Sequence, residues 1–132
     1  MSEKTIAQRF VEAFGSYDMA TLNQLYSDDV VLYSPLVWGQ KGKQAFLDYA
    51  DEFHKAYSPL RIVLHDKFYS PDGARGYFQF VFHWNSTGEF YGNPPTGGSA
   101  VQVETHVITI RDGKIVEQWV GATPSRCPIW TS

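Results

Sequence analysis

Two ionisable residues two positions apart, Glu104 and His106, are the strongest chemical signal in the sequence. They lie in residues 100–110, where side chains alternate between two faces as in a strand. One face carries Ala100, Gln102, Glu104, His106, Ile108 and Ile110, and the other carries Val101, Val103, Thr105, Val107 and Thr109. The second set is uniformly β-branched, which suits a strand packed against something. The first begins polar and ionisable and turns apolar only toward its end. A covered strand face keeps polar groups where it lines a cavity. An imidazole, with an ordinary pKa of about 6.5, accepts a proton at neutral pH better than an aspartate does. His106 is therefore the candidate acid/base, and Glu104 the partner that orients it and raises its basicity. Without chemistry, the same pair reads as a buried histidine satisfied by a neighbour.

Around this pair the sequence offers rings. Trp38, Phe53, Phe80, Trp84 and Trp119 are candidate walls for a flat, apolar ligand, with Gln102 a polar contact on the same strand face. The competing reading of such rings is plain core. His54, His65 and His83 lie off these faces, and no three ligands converge in the pattern, so no metal site is expected. Cys127 sits in a Pro-containing tail without an obvious base, which argues against a nucleophile. The glycines between Gly92 and Gly98 lack the Lys-Ser/Thr and the helix of a phosphate cradle, and read as a loop at a pocket mouth.

The elements that must position these residues follow from pattern. Thr5 and Gln8 form a capping box before a helix carrying Ile6, Phe10, Ala13 and Phe14, with Gly15 suited to its C-terminal cap. Asp18 caps a second short helix carrying Leu22, Leu25 and Tyr26. Residues 30–33 form a short strand stopped by Ser34-Pro35, and residues 38–42 read as a loop. Residues 43–57 form a third helix with Phe46, Tyr49, Ala50, Phe53 and Tyr57 on one stripe. Strands follow at residues 60–69 and 74–84, the latter with Phe78, Phe80, Phe82 and Trp84 on one face. After an irregular loop at residues 85–99, the Asp112-Gly113 turn joins the Glu104/His106 strand to a last strand ending near Val120. Residues 121–132 read as a surface tail. The order gives an α+β chain: a curved antiparallel sheet whose concave face is covered by the three N-terminal helices, forming a cone-shaped barrel.

Bulk properties bound the function. A chain of 132 residues makes one domain, spanning residues 1–132. Its 16% aromatic content calls for a ring-lined interior or cavity. With 11 basic and 14 acidic residues it has no cationic surface run, which excludes nucleic acid as the expected partner. The single cysteine excludes an intrachain disulfide, and no apolar run reaches the roughly 18 residues of a membrane span. The first ten residues lack a signal peptide's apolar segment, so the expected setting is the cytoplasm.

The segments WNSTGEFYGNPPTG and IRDGKIVEQW, with DDVVLYSP and WGQKGKQAFLDYADEF upstream, resemble the SnoaL-like polyketide cyclase family of the nuclear transport factor 2-like superfamily. The similarity covers nearly the whole chain. It implies a cone-shaped α+β barrel, a deep pocket on the concave face, a carboxylate acid/base on the long strand, and a homodimer. Carried across position by position, the family's strand aspartate falls on His106. The histidine of its T-H-T-G motif falls on Ser86, and the polar residue ending its first strand falls on Tyr33. Ser86 then keeps a hydroxyl able to position a substrate, and Tyr33 a phenol able to donate to a developing oxyanion.

Together these give an expected small, cofactor-independent acid/base enzyme. It would act on an apolar cyclic or polyketide-like carbonyl compound by cyclisation or isomerisation, with His106, Glu104 and Tyr33 as catalytic residues. Two alternatives remain: a non-catalytic domain for hydrophobic ligands or dimerisation, and a hydrolase or dehydratase in which His106 activates water.

Overall fold

The capping box expected at Thr5 is present in the structure, a computed structural model that describes residues 4–34 and 38–122. The Thr5 hydroxyl accepts from the Gln8 amide at 3.2 Å, while the Gln8 side chain accepts from the Thr5 amide at 2.9 Å. These bonds satisfy two of the orphan donors that open helix α1 (Ile6–Gly15). The helix ends one residue later than expected, at a Ser16 cap. Gly15 serves close packing instead: a Cβ there would lie 2.6 Å from Ile62 Cγ2. Asp18 caps α2 (Met19–Leu25) by accepting from the Thr21 amide at 3.1 Å. α3 (Lys43–Ala56) buries Phe46, Ala50, Phe53 and Ala56 along one stripe.

The strands are β1 (Tyr26–Tyr33), β2 (Trp38–Lys41), β3 (Tyr57–Tyr69), β4 (Arg75–Ser86), β5 (Ser99–Arg111) and β6 (Lys114–Ala122). They form a six-stranded sheet in the order β2-β1-β6-β5-β4-β3. The sheet is curved and open, and with the three helices it makes the expected cone-shaped α+β fold. Two features differ from the sequence reading. β1 pairs with β6 in parallel, whereas the sheet was expected to be antiparallel throughout. That pairing joins distant parts of the chain and leaves no local signature. Residues 38–41, a loop by sequence pattern, form the edge strand β2, antiparallel to β1. Four residues with Gly39 at φ +66° carry no alternation to detect.

The β5–β6 hairpin turns at Asp112 (φ 53°) and Gly113 (φ 73°), the pair of positive angles a type I′ turn requires. The core fills the space between the helices and the concave face. Phe10 of α1 sits at its centre, with ring centroids 5.6 Å from Phe14, 6.0 Å from Phe46, 5.4 Å from Phe78 and 5.7 Å from Phe80. Each such ring contributes roughly 1.5–3 kcal/mol by leaving water, enough to fix the helices on the sheet. Among the described residues, no helix is long and apolar enough to cross a membrane.

Candidate functional site

β5 lies between β4 and β6, so its concave-face residues are flanked from both sides. His106 pairs with Phe78 and Val120, Glu104 with Phe80, and Gln102 with Phe82. The two-residue spacing puts His106 and Glu104 on one face, and their side chains meet: His106 Nε2 lies 2.6 Å from Glu104 Oε1. The His106 ring is enclosed by Phe10 at 5.0 Å, Phe78 at 4.8 Å and Phe80 at 5.2 Å. Burial is graded along this face. Ala100 and Gln102 are partly exposed, the Glu104 side chain is 16% exposed, and the His106 side chain is 1% exposed.

This geometry constrains the protons. With Glu104 as a carboxylate, the short contact requires Nε2 to carry hydrogen and donate. The lone pair of a neutral imidazole then sits on Nδ1, which is buried and has no hydrogen-bond partner among the described residues. The expected order, with His106 at the reacting atoms and Glu104 behind it, is reversed in depth.

Further polar groups share the interior. The Tyr26 hydroxyl donates to Gln118 Oε1 at 2.6 Å, and both residues are buried. Burial pushes the Tyr26 phenol well above its ordinary pKa, and the charge on Glu104 adds to this. Burial likewise raises Tyr49 beyond the usual phenol range, again with help from Glu104. Both phenols therefore remain protonated and can act as donors. Near Gln102, partly exposed rings cluster. Phe90 lies 5.1 Å from Tyr57 and 6.4 Å from Tyr49, and Tyr57 lies 4.5 Å from Trp84. The Trp84 indole donates to Gln102 Oε1 at 3.3 Å.

The residues nominated from sequence separate into groups. His106, Glu104, Gln102 and Trp84 come together on or beside one face of the sheet. Phe80 and Phe53 are 2% and 6% exposed, closed into ring-to-ring core packing. Tyr33 and Trp119 are brought together elsewhere. They are paired across β1 and β6 and stacked at 3.9 Å, on the face opposite the one that carries Leu32 and Gln118. Tyr33 is thus on the wrong side of the sheet to donate to an oxyanion beside His106, because strand alternation turns it away from Leu32. Ser86 is buried and its hydroxyl accepts from the Thr96 amide at 2.9 Å, holding the loop after β4. The Trp38 side chain and Cys127 lie outside the described residues. Among the described residues, no three His, Cys, Asp or Glu side chains gather as a metal site.

The sequence pattern does not mark Tyr26, Gln118 or Tyr49 as site residues. Tyr26 and Tyr49 stood on helical stripes, where a tyrosine reads as core. Gln118 was hidden by a register shift opposite Thr109 and Ile110, which turns both Ile115 and Gln118 inward.

Comparison with known proteins places this geometry. A family model described as a SnoaL-like domain matches residues 7–118. A candidate polyketide cyclase from Pseudomonas putida superposes with a TM-score of 0.76 at 23% identity, covering 90% of this chain and 92% of that one. IdmH, a candidate polyketide cyclase from Streptomyces antibioticus, gives 0.73 at 23% identity, covering 89% and 88%. AclR, a candidate hydroxylase from Streptomyces galilaeus, gives 0.74 at 22% identity, covering 89% and 76%. No curated protein matches the chain. At these identities the structural likeness establishes the fold, and one fold carries differently described activities.

Proposed function

This chain belongs to the SnoaL-like domain family, and from that premise we propose that it is a cofactor-independent acid/base enzyme. Its substrate would be an apolar cyclic or polyketide-like carbonyl compound, rearranged by cyclisation or isomerisation through proton transfer next to the carbonyl. The observation that carries this reading is the His106–Glu104 pair. A titratable dyad with a 2.6 Å contact sits against three phenyl rings, where apolar side chains alone would pack more cheaply. In so dry a setting each charge acts strongly on a nearby proton.

The dyad supplies proton transfer. Tyr49, whose phenol is held protonated by burial with help from the charge on Glu104, would donate to the developing oxyanion in place of Tyr33. The ring cluster of Tyr57, Trp84 and Phe90 would take the flat apolar body of the substrate. The outer face of the sheet presents Val63, Phe68 and Val101, each more than half exposed, and would form the contact of a homodimer. The cytoplasm remains the expected location.

The test is proton–deuterium exchange at the α-carbons of cyclic ketones and enones in D2O, followed by NMR. Exchange above the buffer rate supports the proposal. A second reading, a non-catalytic domain for hydrophobic ligands, is favoured by the tight ring-to-ring packing of Phe53, Phe80 and Phe82. Binding of these compounds without exchange would select it.

A further inference from the structure

We infer that residues 89–95 form a lid on the ring cluster, and that Phe90 is its latch, a ring that an apolar ligand displaces on binding. The inference rests on the reading above that this cluster receives the apolar body of a ligand. It does not depend on the proton-transfer step.

Where the β4–β5 loop is fastened is the first observation. On one side the Thr87 and Gly88 amides donate to the Ala56 carbonyl at 3.0 and 2.9 Å, and the Thr87 hydroxyl donates to the Ser58 carbonyl at 2.7 Å. Gly88 lies so close to the end of α3 that a Cβ there would come 2.2 Å from the Lys55 carbonyl oxygen. On the other side the Thr96 amide donates to the Ser86 hydroxyl at 2.9 Å, and the Gly97 amide to the Ser86 carbonyl at 3.0 Å. Residues 89–95 span the interval between these fastenings.

How that span is held is the second. Phe90 and Asn93 exchange amide-to-carbonyl bonds at 2.9 Å around Tyr91 (φ 47°) and Gly92 (φ 84°), the paired positive angles of a type I′ turn. The Asn93 side chain adds a bond to the Phe90 carbonyl at 3.1 Å. Pro94 and Pro95, with fixed φ and no amide hydrogen, stiffen the return. Among the described residues, no hydrogen bond or ion pair ties residues 89–95 to the rest of the chain.

The Phe90 ring makes that tie instead. Its centroid lies 5.1 Å from Tyr57, 6.4 Å from Tyr49 and 6.4 Å from Phe53. Phe90 is partly buried, whereas residues 89 and 91–95 are all exposed. Tyr91 packs edge-on against Phe90 at 4.7 Å, so the tip and its ring move as one unit. Contact between rings is apolar and non-directional. A flat apolar ligand can therefore replace Phe90 against Tyr49 and Tyr57 without loss of any hydrogen bond to the body. While the latch is seated, the ring surface under it is closed, and apparent affinity falls with the open fraction of the lid.

Two measurements test this. The first titrates N-phenyl-1-naphthylamine, an uncharged probe that fluoresces in apolar surroundings, into wild type and Phe90→Ala, each checked for cooperative thermal unfolding. A minor open state holds at most about a tenth of the molecules, so the variant should bind about ten-fold tighter or more. Equal or weaker binding by Phe90→Ala overturns the lid. Binding by neither protein removes the reading of the cluster as a ligand site, and the inference with it. The second measurement needs wild type alone. Nuclear Overhauser contacts from the Phe90 ring to the Tyr49 and Tyr57 rings are expected in the free protein and should vanish at saturating probe. Their survival in the complex overturns the inference.

Discussion

At the scale of single residues, depth on the strand decides what each group does. Sequence alternation was enough to put Glu104 and His106 on one face, and they meet there at 2.6 Å. Alternation says nothing about how far along that face the interior closes. That depends on Phe10, arriving from α1 to cover the imidazole. Another histidine yields a prediction about stability. His54 stacks on Tyr17 at 4.4 Å and abuts Phe14 at 5.1 Å, while Tyr17 donates to Asp51, which also pairs with Lys55. Burial holds the His54 imidazole below its ordinary pKa, against smaller opposing effects of the Phe14 backbone and Asp51. The unfolded chain therefore binds this proton more readily than the folded one. Its contribution to stability is full above the unfolded value of about 6.5 and is lost as pH falls below it. Urea midpoints should drop on going from about pH 7 to about pH 5, and by less in His54→Gln. An unchanged slope in that variant would place the acid sensitivity elsewhere.

At the scale of elements, the loop between β4 and β5 is held to the ends of the strands it joins. Ser86 accepts from Thr96 through its hydroxyl, its amide donates to Gly98, and its carbonyl accepts from Gly97. Thr87 and Gly88 both donate to Ala56 at the end of α3. Ser86→Ala should cost about 1 kcal/mol by leaving the Thr96 amide without its partner. It should also speed amide hydrogen exchange at Thr96; equal exchange in both proteins would show that the hydroxyl bond contributes nothing. A position expected to serve the substrate thus anchors a loop.

How much was legible follows the same division. The capping box, the Asp18 cap, the α3 stripe and the Asp112-Gly113 turn were readable because each is written in a few adjacent residues. The parallel β1–β6 pairing, the edge strand at residues 38–41 and the inward turn of Gln118 were not. Each depends on a partner strand far away in sequence or on a shift in register. Tyr33 shows the consequence. Its place at the end of a strand was correct, but the face it presents was set by its pairing with Trp119 on β6.

At the scale of the whole molecule, the sheet has two working sides. The concave side carries the helices, the rings and the dyad. The outer side carries Val63, Val101 and Phe68, each more than half exposed. A homodimer through this side predicts that Val101→Glu sediments at half the mass of wild type at the same concentration. An unchanged mass would place the contact elsewhere or leave none.

The most direct test of the account is deuterium incorporation into 2-tetralone by the wild-type protein, measured beside Glu104→Gln. Proton transfer centred on the dyad predicts incorporation well above the buffer rate with wild type and a return to that rate in the variant. Wild-type rates equal to buffer, with 2-tetralone nonetheless bound, would contradict it and leave a pocket that holds its ligand without transforming it.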